Sequence, residues 1–458
     1  MIEVGQGGVL NVGNGAVMTN AYNQGGNGGA IILNGGEANI SGDARFHYVG
    51  SFYNGGAIAV NSGSLNISGT PTFTKNTANI NQYGQGGVIY AAGEGSSVTI
   101  SGGTFGGDTI DANYRNAAAY GGVLAISDGA EVTISGGTFK NNLTSMTNVC
   151  GGGAVYVDGG KLTITDGRFE NNQAQTITTN ASAGGAVYVT GGDVTISGGT
   201  FTGNTANGNG GAIAVDGGNL TVSGGTISNN EAGGVGNCVY VADGSTVTVA
   251  GNELQNVTDA FGIAGKGQIK VEGSIESTVN VEFASPAEQY GEVYVTSDDN
   301  SGQELKDHFL VTNPGYTFSP VEPTGDATNG ALELAESQAI VAVIEHTDGT
   351  YSHYTSIQAA IDDATDGETV LLATYKNEDT GLSSDGVTLN DTLVIPSGKG
   401  ISFGSVHVTV KNDTEGDFTA ISQIWIFIAG PLAGAALAAL LYRFFESKKQ
   451  ASAQENAE

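Results

Sequence analysis

The stretch Gly210–Asn230 reads GGAIAVDGGNLTVSGGTISNN, and a near copy, GGAVYVTGGDVTISGGTFTGN, stands at Gly184–Asn204. Both contain three short segments in which apolar and polar residues alternate, and glycine pairs separate the segments. An alternation with a period of two is typical of β-strands, whereas glycine pairs are typical of turns. The stretch therefore predicts a unit of three short strands joined by tight turns.

The same phrase recurs along the first half of the chain. Eight copies begin with Gly-Gly and a ninth, GNCVYV, is degenerate; they start at Gly7, Gly28, Gly55, Gly86, Gly121, Gly152, Gly184, Gly210 and Gly236. One unit cannot bury its apolar side alone, but stacked units bury it together. Because parallel β connections are almost always right-handed, the sequence predicts an all-β fold, a right-handed parallel β-helix or solenoid.

Two columns of side chains are expected to run along the stack. The third segment of most units begins with an aromatic residue, which predicts an inward column of Phe73, Phe105, Phe139, Phe169 and Phe201. The same segments end in asparagine, which predicts a polar column at a turn, with members Asn76, Asn142, Asn172, Asn204 and Asn230. Each amide of this column should bond to the coil above or below, so we interpret it as structural rather than catalytic.

Tyrosine occupies the outward position of the first strand in four units. These residues are Tyr90, Tyr156, Tyr188 and Tyr240, and Ile32, Ala59, Ala125 and Ala214 fill the position elsewhere. Stacked rings beside small residues would form an amphipathic strip suited to sugar rings or to the apolar edge of a partner. The sequence thus offers a possible ligand strip, with the alternative that tyrosine is simply a good strand former.

The paired recurrence of Gly-Gly-Ala plus a branched aliphatic residue, and of FxxN, resembles the repeats of the bacterial polymorphic outer membrane proteins. The resemblance covers residues 5–250 and does not extend to an autotransporter barrel. It implies an adhesive β-helix on a bacterial surface.

The pattern changes after the repeats, which occupy residues 1–252. Residues 253–344 read as an irregular β region that caps the stack, and residues 345–420 as the start of a second β-helix. A short helix is expected to cover that start, with an apolar face of Ile357, Ala360, Ile361 and Ala364. A transmembrane helix, 421–443, and a cytoplasmic tail, 444–458, complete the predicted organisation.

The membrane segment contains nineteen residues without a charge, Ile424–Tyr442, which is long enough to cross a bilayer. Arg443 and two lysines follow, so the C-terminus is predicted to be cytoplasmic and the repeats to lie at the cell surface. Small residues suited to helix packing lie at Gly430, Gly434 and Ala438. Residues 423–444 are also similar to the last transmembrane helix of the aquaporin family, which leaves a channel-related fusion remnant as a remote alternative.

The composition limits the partners. The chain of 458 residues has 15 basic and 46 acidic side chains and a net charge of −31, which excludes a nucleic-acid partner. The two cysteines, Cys150 and Cys238, lie three coils apart, so no disulfide is expected. The N-terminus carries no signal peptide, and we expect an export signal to be missing from this sequence.

No cofactor is predicted. Calcium stays open because acidic residues precede a glycine at the first turn of several units, namely Asp128, Asp158, Asp216 and Asp243. Asn34, Asn61 and Thr190 interrupt that column.

Three functions remain open. The first is a non-enzymatic, membrane-anchored adhesin or stalk, with glycans or proteins of a host or microbial surface as partners. The second is a carbohydrate-active, pectin lyase-like enzyme, for which no catalytic constellation surrounds His47 or the few arginines. The third is binding to ice or another flat lattice, indicated by an outward threonine column of Thr99, Thr133, Thr163, Thr195, Thr221 and Thr248.

Overall fold

The computed structural model describes residues 1–79, 83–109, 111, 114–146, 149–176, 182–250, 257–289, 291–313, 316–321, 330–336, 342–345, 351–354, 357–365, 369–372 and 401–402. The chain divides into two compact units, Met1–Glu336 and Ser337–Glu458. The predicted membrane segment, with Gly430, Gly434 and Ala438, falls outside the described residues. Within the described ranges, no helix has both the length and the apolar character needed to span a membrane.

The first unit begins with the strands β1 (Ile2–Gly5), β2 (Val9–Val12), β3 (Val17–Thr19), β4 (Tyr22–Asn23), β5 (Ile31–Ile40), β6 (Arg45–His47), β7 (Gly50–Ser51), β8 (Ile58–Ile67), β9 (Thr72–Thr74), β10 (Thr77–Ala78), β11 (Ile89–Ala92), β12 (Ser96–Ile100), β13 (Thr104–Phe105), β14 (Ala117–Ala118), β15 (Leu124–Ser127), β16 (Glu131–Lys140), β17 (Leu143–Met146) and β18 (Cys150–Gly151).

It continues with β19 (Val155–Asp158), β20 (Gly160–Glu170), β21 (Gln173–Thr176), β22 (Ser182–Ala183), β23 (Val187–Val189), β24 (Gly192–Thr202), β25 (Thr205–Ala206), β26 (Ile213–Val215), β27 (Asn219–Ser228), β28 (Glu231–Ala232), β29 (Val239–Val241), β30 (Thr246–Ala250), β31 (Phe261–Ile263), β32 (Gln268–Glu272), β33 (Val279–Phe283), α1 (Pro286–Gln289), β34 (Val293–Ser297), α2 (Gly302–His308), β35 (Phe309–Val311), β36 (Tyr316–Pro320) and β37 (Gly330–Glu336).

A coil of the first unit has four straight segments rather than the predicted three. In the coil that starts at Val155, β19 forms the first wall, and β20 turns at Gly167 to form the second and third. The short strand β21 then forms a fourth wall, which pairs in parallel with β17 and β25 in the neighbouring coils. Such fourth segments are only two to four residues long, so an alternating pattern does not reveal them.

Equivalent strands of successive coils pair in parallel and in register. Tyr156 lies opposite Tyr188, and Thr163 opposite Thr195. The walls therefore form long sheets, and in the described part of the chain one sheet contains 27 strands. Apolar side chains from the inward positions of these strands fill a continuous core along the axis. The predicted solenoid is confirmed.

The two glycines of each repeat start serve different purposes. The first, such as Gly121, has a φ of 62°, which places it in the left-handed region that side chains disfavour. The second, such as Gly122, lies so close to the next coil that a Cβ would be 2.2 Å from the carbonyl oxygen of Gly153. The pair is thus required by a turn and by the tight stacking of coils.

The first repeat copy is misplaced by the sequence pattern. Val9–Val12, which follows Gly7, pairs with Glu37–Ile40 in the second wall and not in the first. The first wall of this coil is Ile2–Gly5, opposite Ile31 and its neighbours. A glycine pair also occurs at the turn into the second wall, and this second use of the motif explains the error.

The stack continues beyond residue 252, where the repeats were expected to end. The strands β31 and β32 pair in parallel with β29 and β30, and β33, β34 and β35 continue the walls. An antiparallel pair, β36–β37, and an antiparallel contact of β37 with β34 close this end. Ser301 begins α2 with a capping box that includes Glu304.

The second unit is described only in part. Its elements are β38 (Ala342–Glu345), β39 (Tyr351–Tyr354), α3 (Ile357–Asp363), β40 (Thr369–Leu372) and β41 (Ile401–Ser402). The strand β38 pairs antiparallel with β39 and β40, and β40 pairs in parallel with β41. The helix α3 lies where the short helix was predicted, and it buries the predicted face of Ile357, Ala360, Ile361 and Ala364.

Candidate functional site

A stack of phenylalanine rings runs through the interior of the solenoid. The five predicted rings are fully buried and lie nearly parallel, with centroids 4.6–4.7 Å apart, and Phe46 extends the stack by one coil. This spacing matches the distance between hydrogen-bonded strands, so each ring contacts its equivalents directly. The stack contributes to the core and offers nothing to a ligand.

The structure brings the five predicted asparagines together in one buried ladder. Asn142 donates from Nδ2 to Oδ1 of Asn172 at 2.9 Å, and Asn172 donates in the same way to Asn204 at 3.0 Å. The Nδ2 atom of Asn172 also donates to the carbonyl oxygen of Phe139 at 2.9 Å. Asn76 and Asn230 lie in the same ladder. Buried amides are thereby satisfied from coil to coil.

Sequence reasoning missed two members of this ladder. Asn116 lies between Asn76 and Asn142, and Asp259 accepts from Asn230 at the end. The residues between Phe105 and Asn116 break the FxxN spacing. A second sequence signal could have identified Asn116, namely an alanine two residues after the asparagine. This alanine is present and buried after Asn76, Asn116, Asn172 and Asn204.

The four predicted tyrosines share one column, but its centre is covered. The register places Tyr90, Tyr156, Tyr188 and Tyr240 in line on the outward face of the first wall, with alanines between them. Tyr156 is 7% exposed and Tyr188 is 6% exposed, so the expectation of an accessible ligand strip is wrong there.

The chain that precedes the glycine pairs at Gly121, Gly152 and Gly184 folds back over this column. The rings of Tyr120 and Tyr156 are 4.9 Å apart, and a Cβ on Gly151 would lie 2.2 Å from Cδ1 of Tyr188. The tyrosines form a second, smaller core between the wall and these segments. Tyr90 and Tyr240 at its ends are only partly buried.

Hydrogen bonds hold the two central tyrosine hydroxyls. Tyr188 donates from Oη to Oδ2 of Asp216 at 3.0 Å, and Thr190 donates from Oγ1 to Oη of Tyr156 at 2.9 Å. Burial raises the pKa of Tyr156 to about 12, and the pKa of Tyr188 is also raised, by burial and by the charge of Asp216. Both rings therefore remain neutral and packed at physiological pH.

The acidic turn column differs from the expected one. The register aligns Asp158 with Ser127 rather than with Asp128, and it aligns Asp216 with Ala242 rather than with Asp243. One extra residue before the turn in those two coils shifts the aspartate. In the described ranges, no group of three or more His, Cys, Asp or Glu side chains could hold a metal ion.

The outward face of the second wall carries a regular polar column. Successive pairings align Asn11, Asn39, Asn66, Thr99, Thr133, Thr163, Thr195, Thr221, Thr248, Lys270 and Thr296. The predicted threonine column is part of this array. Asn39 donates to Asn11 and Asn66 donates to Asn39, so the first coils form an outer amide ladder.

Aromatic side chains that solvent can reach lie elsewhere, near the turn between the third and fourth walls. Tyr48 is 54% exposed, and Nζ of Lys75 lies 4.6 Å from the centroid of its ring. Tyr22 and Tyr114 are also exposed. These residues were not singled out in the sequence because their spacing follows no repeat.

A shallow open groove of about 450 Å³ follows the turns into the second wall, along Gly7, Gly35, Gly63 and Gly95. Of its described lining residues, Glu37 alone is ionisable, whereas glycoside hydrolysis uses two carboxyl groups. His47 lies outside this lining, with Nδ1 at 2.9 Å from Oγ1 of Thr74. Cys150 and Cys238 are free cysteines, which agrees with the expectation that they form no disulfide, and both are buried.

Comparisons with known proteins agree with this architecture. A family model described as a right handed beta helix region matches residues 113–277. The solenoid is a right-handed parallel β-helix. The matched part of the β-helix contains the Asn116–Asn230 portion of the ladder and both buried tyrosines. Comparisons with curated proteins and with solved structures found no match.

Proposed function

We propose that this protein is a non-enzymatic, membrane-anchored surface protein in which the β-helix serves as a stalk with adhesive surfaces. The observation that carries the proposal is the unbroken register of the second wall, from Asn11 to Thr296, through ten successive pairings. At a strand spacing of about 4.8 Å, these pairings span about 48 Å. Inside the solenoid, the phenylalanine stack from Phe46 to Phe201 and the asparagine ladder from Asn76 to Asp259 link successive coils over much of this length.

The position of the loops supports a display role. The variable segments lie between the fourth wall and the next glycine pair, for example between Ala78 and Gly86 or between Ala206 and Gly210. The walls of neighbouring coils stay paired in register while the length of these segments varies. A rigid frame with variable loops on one side is suited to presenting binding surfaces, because changes in loop length leave the stacked walls and the core along the axis in place.

Membrane anchoring is the second part of the proposal. It rests on the charge-free segment Ile424–Tyr442 and on the basic residues that follow it. A single helix of this length would hold the β-helix at the cell surface and leave residues 444–458 in the cytoplasm. Partners would be glycans or proteins of another surface.

The anchoring test uses two versions of the chain behind one export signal. The full chain should remain on intact cells, where added protease can cut it, whereas a version without residues 421–443 should appear in the medium. Attachment of cells to immobilised glycans and host cells is then compared with that of cells lacking the chain. Release of the full chain, or equal attachment, would contradict the proposal.

The pectin lyase-like alternative is equally compatible with the fold. Purified full chain is incubated with polygalacturonate and related polymers, and new reducing ends and unsaturated products are measured. Production of either by the chain would replace the adhesin with an enzyme. No change over time is the expected result.

A flat-lattice function is favoured by one observation, the column of six threonines on neighbouring coils. Two residues further along these strands the sequence mostly has serine, at Ser101, Ser135, Ser197 and Ser223, with one methyl group fewer per residue, and the register shifts there so that Ser135 lies opposite Asp166 and Ser197 opposite Gly224. Thermal hysteresis of the full chain tests this function. A freezing point below the melting point would support it over adhesion.

A further inference from the structure

The turn between the third wall and the asparagine ladder requires an unusual backbone. The residue before the ladder position has a φ of 54–66° in seven coils, a left-handed conformation that glycine and asparagine tolerate best. These residues are Asn20, Tyr48, Lys75, Asn141, Asn171, Gly203 and Asn229. The asparagines and the glycine therefore suit this conformation, whereas Tyr48 and Lys75 do not.

The two exceptions are adjacent and contact each other. Tyr48 and Lys75 lie on neighbouring coils with φ values of 57° and 56°. Nζ of Lys75 lies 4.6 Å from the centroid of the Tyr48 ring, which is cation–π distance. Each carries backbone strain that asparagine would relieve, yet each places a large side chain at the surface. Folding alone would favour the residues found in the other coils.

Two further aromatic residues continue this surface. Tyr22 pairs with Gly50, two residues beyond Tyr48, and its ring would lie 2.9 Å from a Cβ on that glycine. On the other side, the backbone nitrogen of Lys75 donates to the carbonyl oxygen of Tyr114 at 3.2 Å. Tyr22 and Tyr114 are 53% and 51% exposed. We call Tyr22, Tyr48, Lys75 and Tyr114 the aromatic corner.

The charge near the aromatic corner differs from that of the whole chain. Arg45 is exposed on the strand that leads to Tyr48, and Arg115 follows Tyr114. Of the neighbouring acids, Asp108 pairs with Lys140, Asp43 accepts from the backbone nitrogen of Gly15, and Asp111 is exposed, with its carbonyl oxygen accepting from the backbone nitrogens of Tyr114 and Arg115. In a chain with a net charge of −31, this surface therefore carries three cationic side chains, Arg45, Lys75 and Arg115, against two nearby acids, Asp43 and Asp111.

We propose that the aromatic corner binds a sugar ring that carries a carboxylate, such as a uronic acid unit of a glycan. The tyrosine rings would contact the C–H face of the sugar, while Lys75 and Arg45 would pair with its carboxylate. The contact with Lys75 holds the Tyr48 ring in place before binding, which lowers the entropy cost. The inference rests on the adhesive function proposed above and names its ligand class.

A sugar fits this surface better than an apolar protein segment. The rings of Tyr22 and Tyr48 lie on neighbouring coils, the next coil contributes Lys75, and the coil after it contributes Tyr114, so the rings do not form a continuous apolar patch. Phenol rings and fixed cations match a ligand with alternating C–H faces and charged groups. Binding of apolar peptides instead of glycans is one outcome of the test that would overturn the assignment.

The test measures binding of the purified full chain to oligogalacturonate and hyaluronate, with the methyl ester of each as a neutral counterpart. The double variant Tyr48→Asn plus Lys75→Asn installs the residue that other coils use, so folding should be retained. We expect it to weaken binding of the acidic glycans about tenfold or more. Lys75→Asn alone should reduce the preference for the acid over the ester.

Tyr83→Asn provides the matched control. Tyr83 is 62% exposed and also left-handed, with a φ of 57°, but it lies outside the aromatic corner. It should bind as the unmodified chain does. Equal binding by the double variant, or no binding of any acidic glycan by the unmodified chain, would overturn the inference. Normal attachment of cells that carry the double variant would contradict the aromatic corner as the binding site while leaving the adhesive function in place. Binding of glycans by the purified chain without attachment of cells would contradict the adhesive function while leaving the aromatic corner as a binding site.

Discussion

Asn230 donates two hydrogen bonds to one oxygen of Asp259, from its side-chain Nδ2 at 3.2 Å and from its backbone nitrogen at 2.8 Å. Every amide of the ladder donates one hydrogen bond from Nδ2 to the side-chain oxygen of the next member, so all the amides have the same orientation and their dipoles align along the axis. Aligned dipoles place partial positive charge at the last donor, as at the N-terminus of a helix. A carboxylate at that point accepts the final hydrogen bonds and opposes the charge.

Replacement of Asp259 should therefore destabilise the whole ladder end. In Asp259→Ala the backbone nitrogens of Asn229 and Asn230 lose their acceptor, and Nδ2 of Asn230 loses one of its acceptors, so we expect a loss of about 2 kcal/mol in the free energy of unfolding. Urea denaturation of the full chain measures it. Glu131→Ala, which removes an exposed carboxylate elsewhere on the solenoid, is the control and should change stability little. Equal stability of the two variants would show that the carboxylate does not terminate the ladder.

Loss of an amide within the ladder should cost more. Asn172→Ala removes the acceptor of the backbone nitrogen of Asn142, one of the two acceptors of its Nδ2 atom, and the side-chain donor to the carbonyl oxygen of Phe139, all inside the core. We expect a loss of about 3 kcal/mol or more, since buried unpaired polar groups cost about 1–3 kcal/mol each. Asn66→Ala removes a similar amide from the outer ladder, where water replaces it, and should cost under about 1 kcal/mol. Urea denaturation compares the two variants: Asn172→Ala should have the lower midpoint, and the opposite order would contradict the prediction.

The second glycine of a repeat pair should not tolerate a side chain. In Gly122→Ala the new Cβ would be 2.2 Å from the carbonyl oxygen of Gly153, and relief requires the two coils to separate. A loss of about 3 kcal/mol is expected, at the upper end of values for overpacked cores. Gly13→Ala, where a Cβ has open space, is the control. Equal melting temperatures of the two variants would show that the coils are stacked less tightly than described.

Stability should fall in alkaline solution. Burial raises the pKa of Cys150 from 9.0 to about 11 and that of Tyr156 from 10.0 to about 12. Because the folded pKa values lie above the unfolded ones, the folded state retains these protons, and their contribution is complete below pH 9 and is lost between about pH 9 and 12. Denaturation at a series of pH values measures the slope. Tyr156→Phe should reduce the slope at the upper end, and an unchanged slope would contradict this assignment.

Sequence alone was sufficient for the contacts that every coil repeats. The phenylalanine stack and the asparagine ladder follow from a spacing of three residues within one strand and turn, so counting places them correctly. Asn116 escaped because additional residues after Phe105 break that spacing. The ladder requires only that the asparagine side chain occupy the same place in each coil. Additional residues that loop outward before Asn116 leave that place unchanged.

The tyrosine column shows what the sequence could not provide. Period-two alternation correctly placed Tyr156 and Tyr188 on the face opposite the core, but it does not indicate what covers that face. The covering residues, such as Tyr120 and Gly151, lie in segments of variable length that share no pattern. The small side chain of Gly151 against the Tyr188 ring could be recognised only from the folded arrangement.

The like-to-like stacking also bears on how such a chain can change length. A phenylalanine meets a phenylalanine and an asparagine meets an asparagine at each interface between the central coils. Duplicating or deleting one whole coil in this region would therefore recreate the same junction on both sides, without any compensating substitution. Unequal recombination within the repeats could lengthen or shorten the protein in steps of about 4.8 Å, so that reach could be selected separately from the surfaces it carries.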